Sequence, residues 1–147
     1  MRSLAGWRDA ASQDVQDDLD ALLNVALPLA EKSLRESGEF YPYAASISSD
    51  GQTSIAMAGP EGDDVPSVAG SMVSLLVNGL RSQKGSLRAC AVIANVRAGD
   101  SDAARVELEH RDGLALVVLL PYKRKRFGRS VEFGQLTASK GVSHIWT

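Results

Sequence analysis

Ala104-Arg105-Val106-Glu107-Leu108-Glu109-His110, then Asp112-Gly113, then Leu114-Ala115-Leu116-Val117-Val118-Leu119-Leu120, is the stretch whose reading decides the fold. The first segment alternates polar and apolar residues, the pattern of a strand with water on one side. The second is apolar throughout, the pattern of a strand covered on both sides. Asp-Gly between two such runs predicts a hairpin, because both residues tolerate positive φ. A two-residue turn pairs Glu109 with Leu116, Glu107 with Val118 and Arg105 with Leu120 on one face. The opposite face then carries His110, Leu108 and Val106 against Ala115, Val117 and Leu119 and is expected to meet the helices. In this register Leu116, Val118 and Leu120 lie on an outer face beside charged neighbours. Covering them is worth several kcal/mol at ~25 cal/mol per Å². Three covers are open: the Ile145-Trp146 tail, a curl of the sheet, or a second copy of the chain.

Outward from this hairpin the chain alternates helices and strands. Leu19, Leu22, Leu23, Ala26, Leu27, Ala30 and Leu34 form one stripe of a helix over 12–37, with Ser12 as N-cap and Gly38 as stop. Asp14, Asp17 and Asp18 suit the positive end of its dipole. Pro28 inside the pattern is expected to kink or split it. Strands are expected at 41–48 and 52–58 around Asp50-Gly51, a helix at 67–83, a strand at 87–97 and a last strand at 130–138. The tail 142–146 is read as a short edge segment, and Glu39-Phe40-Tyr41-Pro42-Tyr43 as an aromatic anchor between helix and hairpin, with a small pocket as the lesser reading. The order helix, hairpin, helix, then three to four strands predicts an α+β fold. Its expected form is one domain over 1–147, with two helices on one face of an antiparallel sheet of about five to six strands.

Composition narrows the functional classes. No apolar run reaches the ~18 residues of a membrane span, and the first residues lack the apolar core of a signal peptide, so a cytoplasmic protein without membrane contact is expected. Cys90 is the only cysteine and sits in an apolar run, which reads as a buried structural thiol and excludes a disulfide framework. Residues 1–80 hold 4 Lys/Arg against 12 Asp/Glu, and residues 81–147 hold 12 against 6, so the halves are of opposite sign. They neutralise each other if packed together, or steer a charged partner if they are not.

Chemistry-bearing motifs are sparse. Glu107 and Glu109 share a strand face ~7 Å apart, which suits acid–base work or a divalent metal. Arg105 and Arg111 flank them and His110 points away, so a solvated charged row is the better account, with no catalytic residue, metal or cofactor assigned. A hydrolase or metal-binding enzyme using this pair is the alternative. His144 has no partner in sequence. Glu61, Asp63 and Asp64 lie in a Gly- and Pro-containing loop that fits no calcium motif, so capping and solvation account for them. Lys123-Arg124-Lys125-Arg126 beside Phe127 is the strongest charge run. It reads as a protein contact before a weak nucleic-acid grip, since few phosphate contacts bind poorly at physiological salt.

Gly38-Glu39-Phe40-Tyr41-Pro42-Tyr43-Ala44, Val106-Glu107-Leu108-Glu109-His110-Arg111-Asp112-Gly113 and Pro121-Tyr122-Lys123 resemble a group of small uncharacterised bacterial proteins. The resemblance implies an accessory or immunity-type role in a toxin system, with no active site to carry over. The element order is also similar to profilin-like and roadblock-type domains, a likeness of fold alone. The expectation from the sequence is a non-catalytic protein-binding domain, either a homodimer or a toxin-immunity-type inhibitor. Leu116, Val118 and Leu120 form the covered face in this reading, and Lys123, Arg124, Lys125 and Arg126 the charged contact.

Overall fold

A computed structural model describes residues 7–9, 11–57, 65–124 and 130–147, with residues 65–70 described as backbone alone. In chain order the elements are α1 (Gln13–Ser37), β1 (Tyr43–Ser48), β2 (Thr53–Met57), α2 (Val65–Gln83), a 3-10 turn (Lys84–Ser86), β3 (Leu87–Ala98), β4 (Ser101–His110), β5 (Ala115–Arg124), β6 (Val131–Phe133) and β7 (Thr137–Lys140). The strands form one antiparallel sheet in the order β2-β1-β3-β4-β5-β6, with β7 also on β5. The fold is α+β, as its alternation of patterns predicts. The stretch expected as one last strand is two short ones, interrupted where the Gly134 N–H bonds the Pro121 carbonyl at 2.8 Å.

α1 is a single 25-residue helix. The Ser12 side chain accepts from the Val15 N–H at 3.3 Å, and Gly38 closes the far end at φ 76° with its N–H on Leu34 O. Pro28 does not split it. Pro28 removes the donor for the Asn24 carbonyl, but both residues lie on the exposed side, so no buried acceptor is left unpaired. Val15, Leu19, Leu22, Ala26, Ala30 and Leu34 form the buried stripe. Tyr43 is buried against it, its hydroxyl donating to Ala26 O at 2.5 Å. Burial pushes that hydroxyl's pKa up.

The two helices lie on opposite faces of the sheet, not on one face as expected. Leu19, Leu22 and Ala26 of α1 pack with Tyr43, Ala45, Ala89, Ala91, Ile93, Val106 and Leu108. Leu76 and Leu80 of α2 pack with Ala44, Cys90 and Val92, the residues alternating with the first set. β1 and β3 are apolar on both sides, so one helical layer leaves the other side wet. The topology agrees. β2 and β3 both run antiparallel to β1, so α2 is a crossover between two parallel strands, and such crossings keep one hand.

The hairpin register differs from the expected one by one residue. His110 N–H bonds Leu114 O and Gly113 N–H bonds His110 O, which leaves a three-residue loop, Arg111-Asp112-Gly113, with Gly113 at φ 104°. The first hairpin repeats the pattern: Ser48 N–H bonds Gln52 O, Gly51 N–H bonds Ser48 O, and Gly51 is at φ 91°. The pairs are therefore Leu108 with Leu116, Val106 with Val118 and Ala104 with Leu120. A one-residue slip exchanges the faces of a strand. Leu116, Val118 and Leu120 point at the α1 layer and belong to its core, which corrects their placement on an outer face. The half-buried Val117 and Leu119 take the other side, opposite Glu107 and Arg105.

Between β1 and β3 the register also shifts. Ile47 pairs with Ala89 and Ser48 with Leu87, so Arg88 is an extra residue. The bulge sends Leu87 to the α2 layer and lets Arg88 reach Asp18 on α1.

Candidate functional site

The polar cluster expected at Glu107, Glu109 and His110 is divided by the sheet. Glu109 is 5% exposed, not a solvated rim residue. Its carboxylate accepts from the backbone N–H of His144 at 2.9 Å and of Ile145 at 3.0 Å. Those bonds hold residues 142–147 across the α2-side face, where Ile145 packs with Leu80, Leu87 and Cys90. The tail thus covers that face instead of extending an edge. Glu107 accepts from Arg105 at 3.0 Å and lies 3.9 Å from His144 Nε2. Burial first, and the Glu109 charge second, push the Cys90 thiol up to about 12.

His110 lies on the α1 side in a constellation that no local pattern announces. Its Nε2 is 2.9 Å from Asp18 Oδ2, across 92 residues of sequence, and its Nδ1 accepts from the Asp112 N–H at 3.2 Å. That acceptor role assigns the ring proton to Nε2, directed at Asp18. Asp18 Oδ1 accepts from Arg88 Nη2 at 2.9 Å. Both ring nitrogens are committed within the protein, so the imidazole offers no free lone pair to a substrate proton. It ties α1 to β3 and the β4–β5 turn. Among the described residues no group of three or more His, Cys, Asp or Glu side chains is placed to hold a metal ion.

Of the basic run, Lys123 and Arg124 are exposed at the end of β5, while Lys125 and Arg126 lie outside the described residues. Arg124 donates to Gly38 O beyond the C-terminal end of α1, where a cation suits the helix dipole. Arg88 on Asp18 and Arg124 on Gly38 are two points where the basic half of the chain meets the acidic half.

The sheet ends in an open strand at the β2 edge. Every residue of Thr53-Ser54-Ile55-Ala56-Met57 is exposed, and Ile55 and Met57 are 40% and 66% exposed. The strand pairs with β1, and no described strand lies on its other side. Because Ser48 N–H bonds Gln52 O, alternation makes Ser54 and Ala56 the hydrogen-bonded partners of β1. Thr53, Ile55 and Met57 therefore turn their N–H and C=O groups outward. Sheet edges are ordinarily blunted by charge, proline or a bulge, and this one has none of them. Beside it, Met57, Phe40, Tyr41, Glu36 and Glu39 line an open hollow of about 300 Å³. The aromatic segment thus serves both as anchor, through Tyr43, and as pocket wall, through Phe40 and Tyr41. Sequence reasoning placed the strand but passed over its lack of charge, the one signal that marks this edge.

No family model, curated protein or solved structure matches the chain. No helix among the described residues is long and apolar enough to cross a membrane.

Proposed function

We propose that this chain is a protein-binding domain that takes an extended segment of another protein along the free edge of β2. The observation that carries the reading is the row of outward backbone groups on Thr53, Ile55 and Met57, in an uncharged strand with exposed apolar side chains. Strand addition draws affinity from such main-chain groups and specificity from side-chain pockets beside them. Here the pocket has aromatic walls and two carboxylates at its rim, Glu36 and Glu39. The matching segment carries a large apolar side chain flanked by lysine or arginine. A second copy's β2 has no cation for that rim, which favours a different protein over self-pairing. In the toxin-immunity version of this reading, the added strand belongs to the toxin.

A display library of extended peptides tests it. The reading expects enrichment of apolar–cationic segments, with amide shifts on binding concentrated at Thr53, Ile55 and Met57. Ile55→Pro removes an outward N–H and leaves the β1 ladder intact, so it abolishes binding while the protein stays folded. Ala56→Pro removes an inward N–H and with it a ladder hydrogen bond to β1, and costs ~1–3 kcal/mol of stability. Peptides that map to another surface, or binding that survives Ile55→Pro, refute the edge. A dimer by light scattering that Ile55→Pro disperses replaces the heterologous partner with a second copy.

A further inference from the structure

The buried His110 ring has a fixed partner on each nitrogen. Nε2 carries the proton and lies 2.9 Å from Asp18 Oδ2, while Asp18 Oδ1 is bound to Arg88. Nδ1 is the acceptor for the Asp112 N–H at 3.2 Å. A second proton therefore has one place to go, Nδ1, and a protonated Nδ1 is a donor. Two donors do not face each other at 3.2 Å, so proton uptake requires the Asp112 N–H to withdraw. An acceptor for the new donor is close by: Asp112 Oδ2 lies 3.8 Å from Nδ1. The same residue thus meets the ring with its N–H in one protonation state and with its carboxylate in the other.

The turn has room for this exchange. Arg111, Asp112 and Gly113 are exposed, and nothing lies within 4 Å of where a Cβ on Gly113 would sit. Its ends are tied without the ring, by His110 N–H on Leu114 O and Arg111 N–H on Arg88 O. Asp112 can swing while the hairpin keeps its register. The charges around the ring come from three elements. On α1, Asp18 favours the imidazolium, as do Asp14 and Asp17 along the same polar hollow. Arg88 on β3 and Arg111 in the turn oppose it, and Asp112 favours it. Glu109, the preceding residue of β4, faces the other side of the sheet.

We propose that His110 is a proton-operated switch for the β4–β5 turn. Protonation of Nδ1 releases the Asp112 N–H and draws the Asp112 carboxylate onto the ring in its place. Histidine changes charge between about pH 5 and 8, which sets the range in which such a switch works. In the protonated state Asp112 turns away from the hollow it shares with Asp14 and Asp17, which lowers the negative charge presented there. The device shares no residue with the β2 edge and its hollow.

Nuclear magnetic resonance of the full chain between about pH 8 and 5 tests the switch. The His110 Nδ1 signal is expected to change from the unprotonated to the protonated type. The Asp112 amide is expected to move upfield with the same midpoint as it loses its acceptor, while the amides of Leu116 and Val118 hold their positions. Asp112→Asn keeps the N–H and removes the carboxylate that replaces it. Loss of a charge 3.8 Å from Nδ1 is expected to move the transition to lower pH by about 0.5–1 unit. The residue 112 amide still follows the ring in this variant, which separates the ring's effect from titration of the Asp112 carboxyl itself. An Asp112 amide that holds still while the ring protonates, or moves while the ring does not, overturns the proposal. So does a ring that stays neutral until the whole chain unfolds, or an Asp112→Asn transition at the parent's pH.

Discussion

Replacing Glu109 by Gln tests how the α2-side face is closed. The carboxylate is 5% exposed and accepts from two consecutive backbone N–H groups, His144 at 2.9 Å and Ile145 at 3.0 Å. Hydrogen bonds to a charged acceptor are worth ~1.5–3 kcal/mol each. Glutamine keeps one oxygen and turns an amide donor toward the second N–H, so about one such bond is lost. The expected cost is ~2 kcal/mol, a fall in Tm of about 4–8 °C for a chain of this size. Glu109→Ala strands both donors and leaves a cavity, for ~3–4 kcal/mol. Ile145 is 1% exposed, so Ile145→Ala is expected to cost ~2–5 kcal/mol. The two sites hold one segment. A tail loosened by the first change has less to lose from the second, and the double variant falls short of additivity by ~1 kcal/mol or more. Urea unfolding measures all three variants. Cys90 supplies a second readout, because Ile145 packs in its cluster: a loosened tail exposes the thiol to modification under native conditions. A Glu109→Gln protein within ~0.5 kcal/mol of the parent, additive with Ile145→Ala and with Cys90 still protected, refutes the role assigned to this carboxylate.

Three further outcomes follow from the same geometry. The Cys90 thiol is raised from 9.0 to about 12, so the folded state prefers it neutral; its contribution is full below pH 9 and is lost as pH rises toward 12. Urea midpoints taken upward from pH 8 should fall in the parent and fall less in Cys90→Ala, while a Cys90→Ala curve parallel to the parent contradicts the assignment. A Cβ on Gly141 meets Leu116 N and C at 3.0 Å, backbone that cannot step aside, so Gly141→Ala is expected to cost ~1–3 kcal/mol. Gly85→Ala, with nothing within 4 Å, is the control and should melt within about 2 °C of the parent. Deleting Arg111 leaves Asp112-Gly113 as a two-residue turn still closed by His110 and Leu114, so the observed register is kept. Leu116, Val118 and Leu120 stay in the core, and the expected cost is ~1 kcal/mol for the loop's own rearrangement. Thermal unfolding should stay cooperative and close to the parent's, and an unfolded or aggregating chain sinks the register argument.

The sequence carried the local decisions because each depends on neighbours a few residues apart. Ser12 and Gly38 bound α1 as their side chain and backbone dictate, and the stripe from Leu19 to Leu34 faces the sheet. Asp50-Gly51 and Asp112-Gly113 mark both hairpins because glycine takes the positive φ that each turn needs. The choice between two and three loop residues is not written in Asp-Gly. It is decided by packing: only the three-residue loop sets Leu116, Val118 and Leu120 beside Leu108, Val106 and Ala104 under α1. The second helical layer was legible in Ala89 to Val92, apolar on both faces, but placing α2 there needs the crossover over β1. Asp18, Arg88 and His110 share no spacing, and a bulge at Arg88 helps bring them together. Glu109 reads as a solvated strand residue until the tail arrives 35 residues later to bury it. The exposed β2 edge likewise exists only because the sheet ends there. Local stereochemistry chose the elements of this protein; register, layering and the pairing of buried charge were left to contacts between segments far apart in the chain, where burial of apolar area outweighs any local preference.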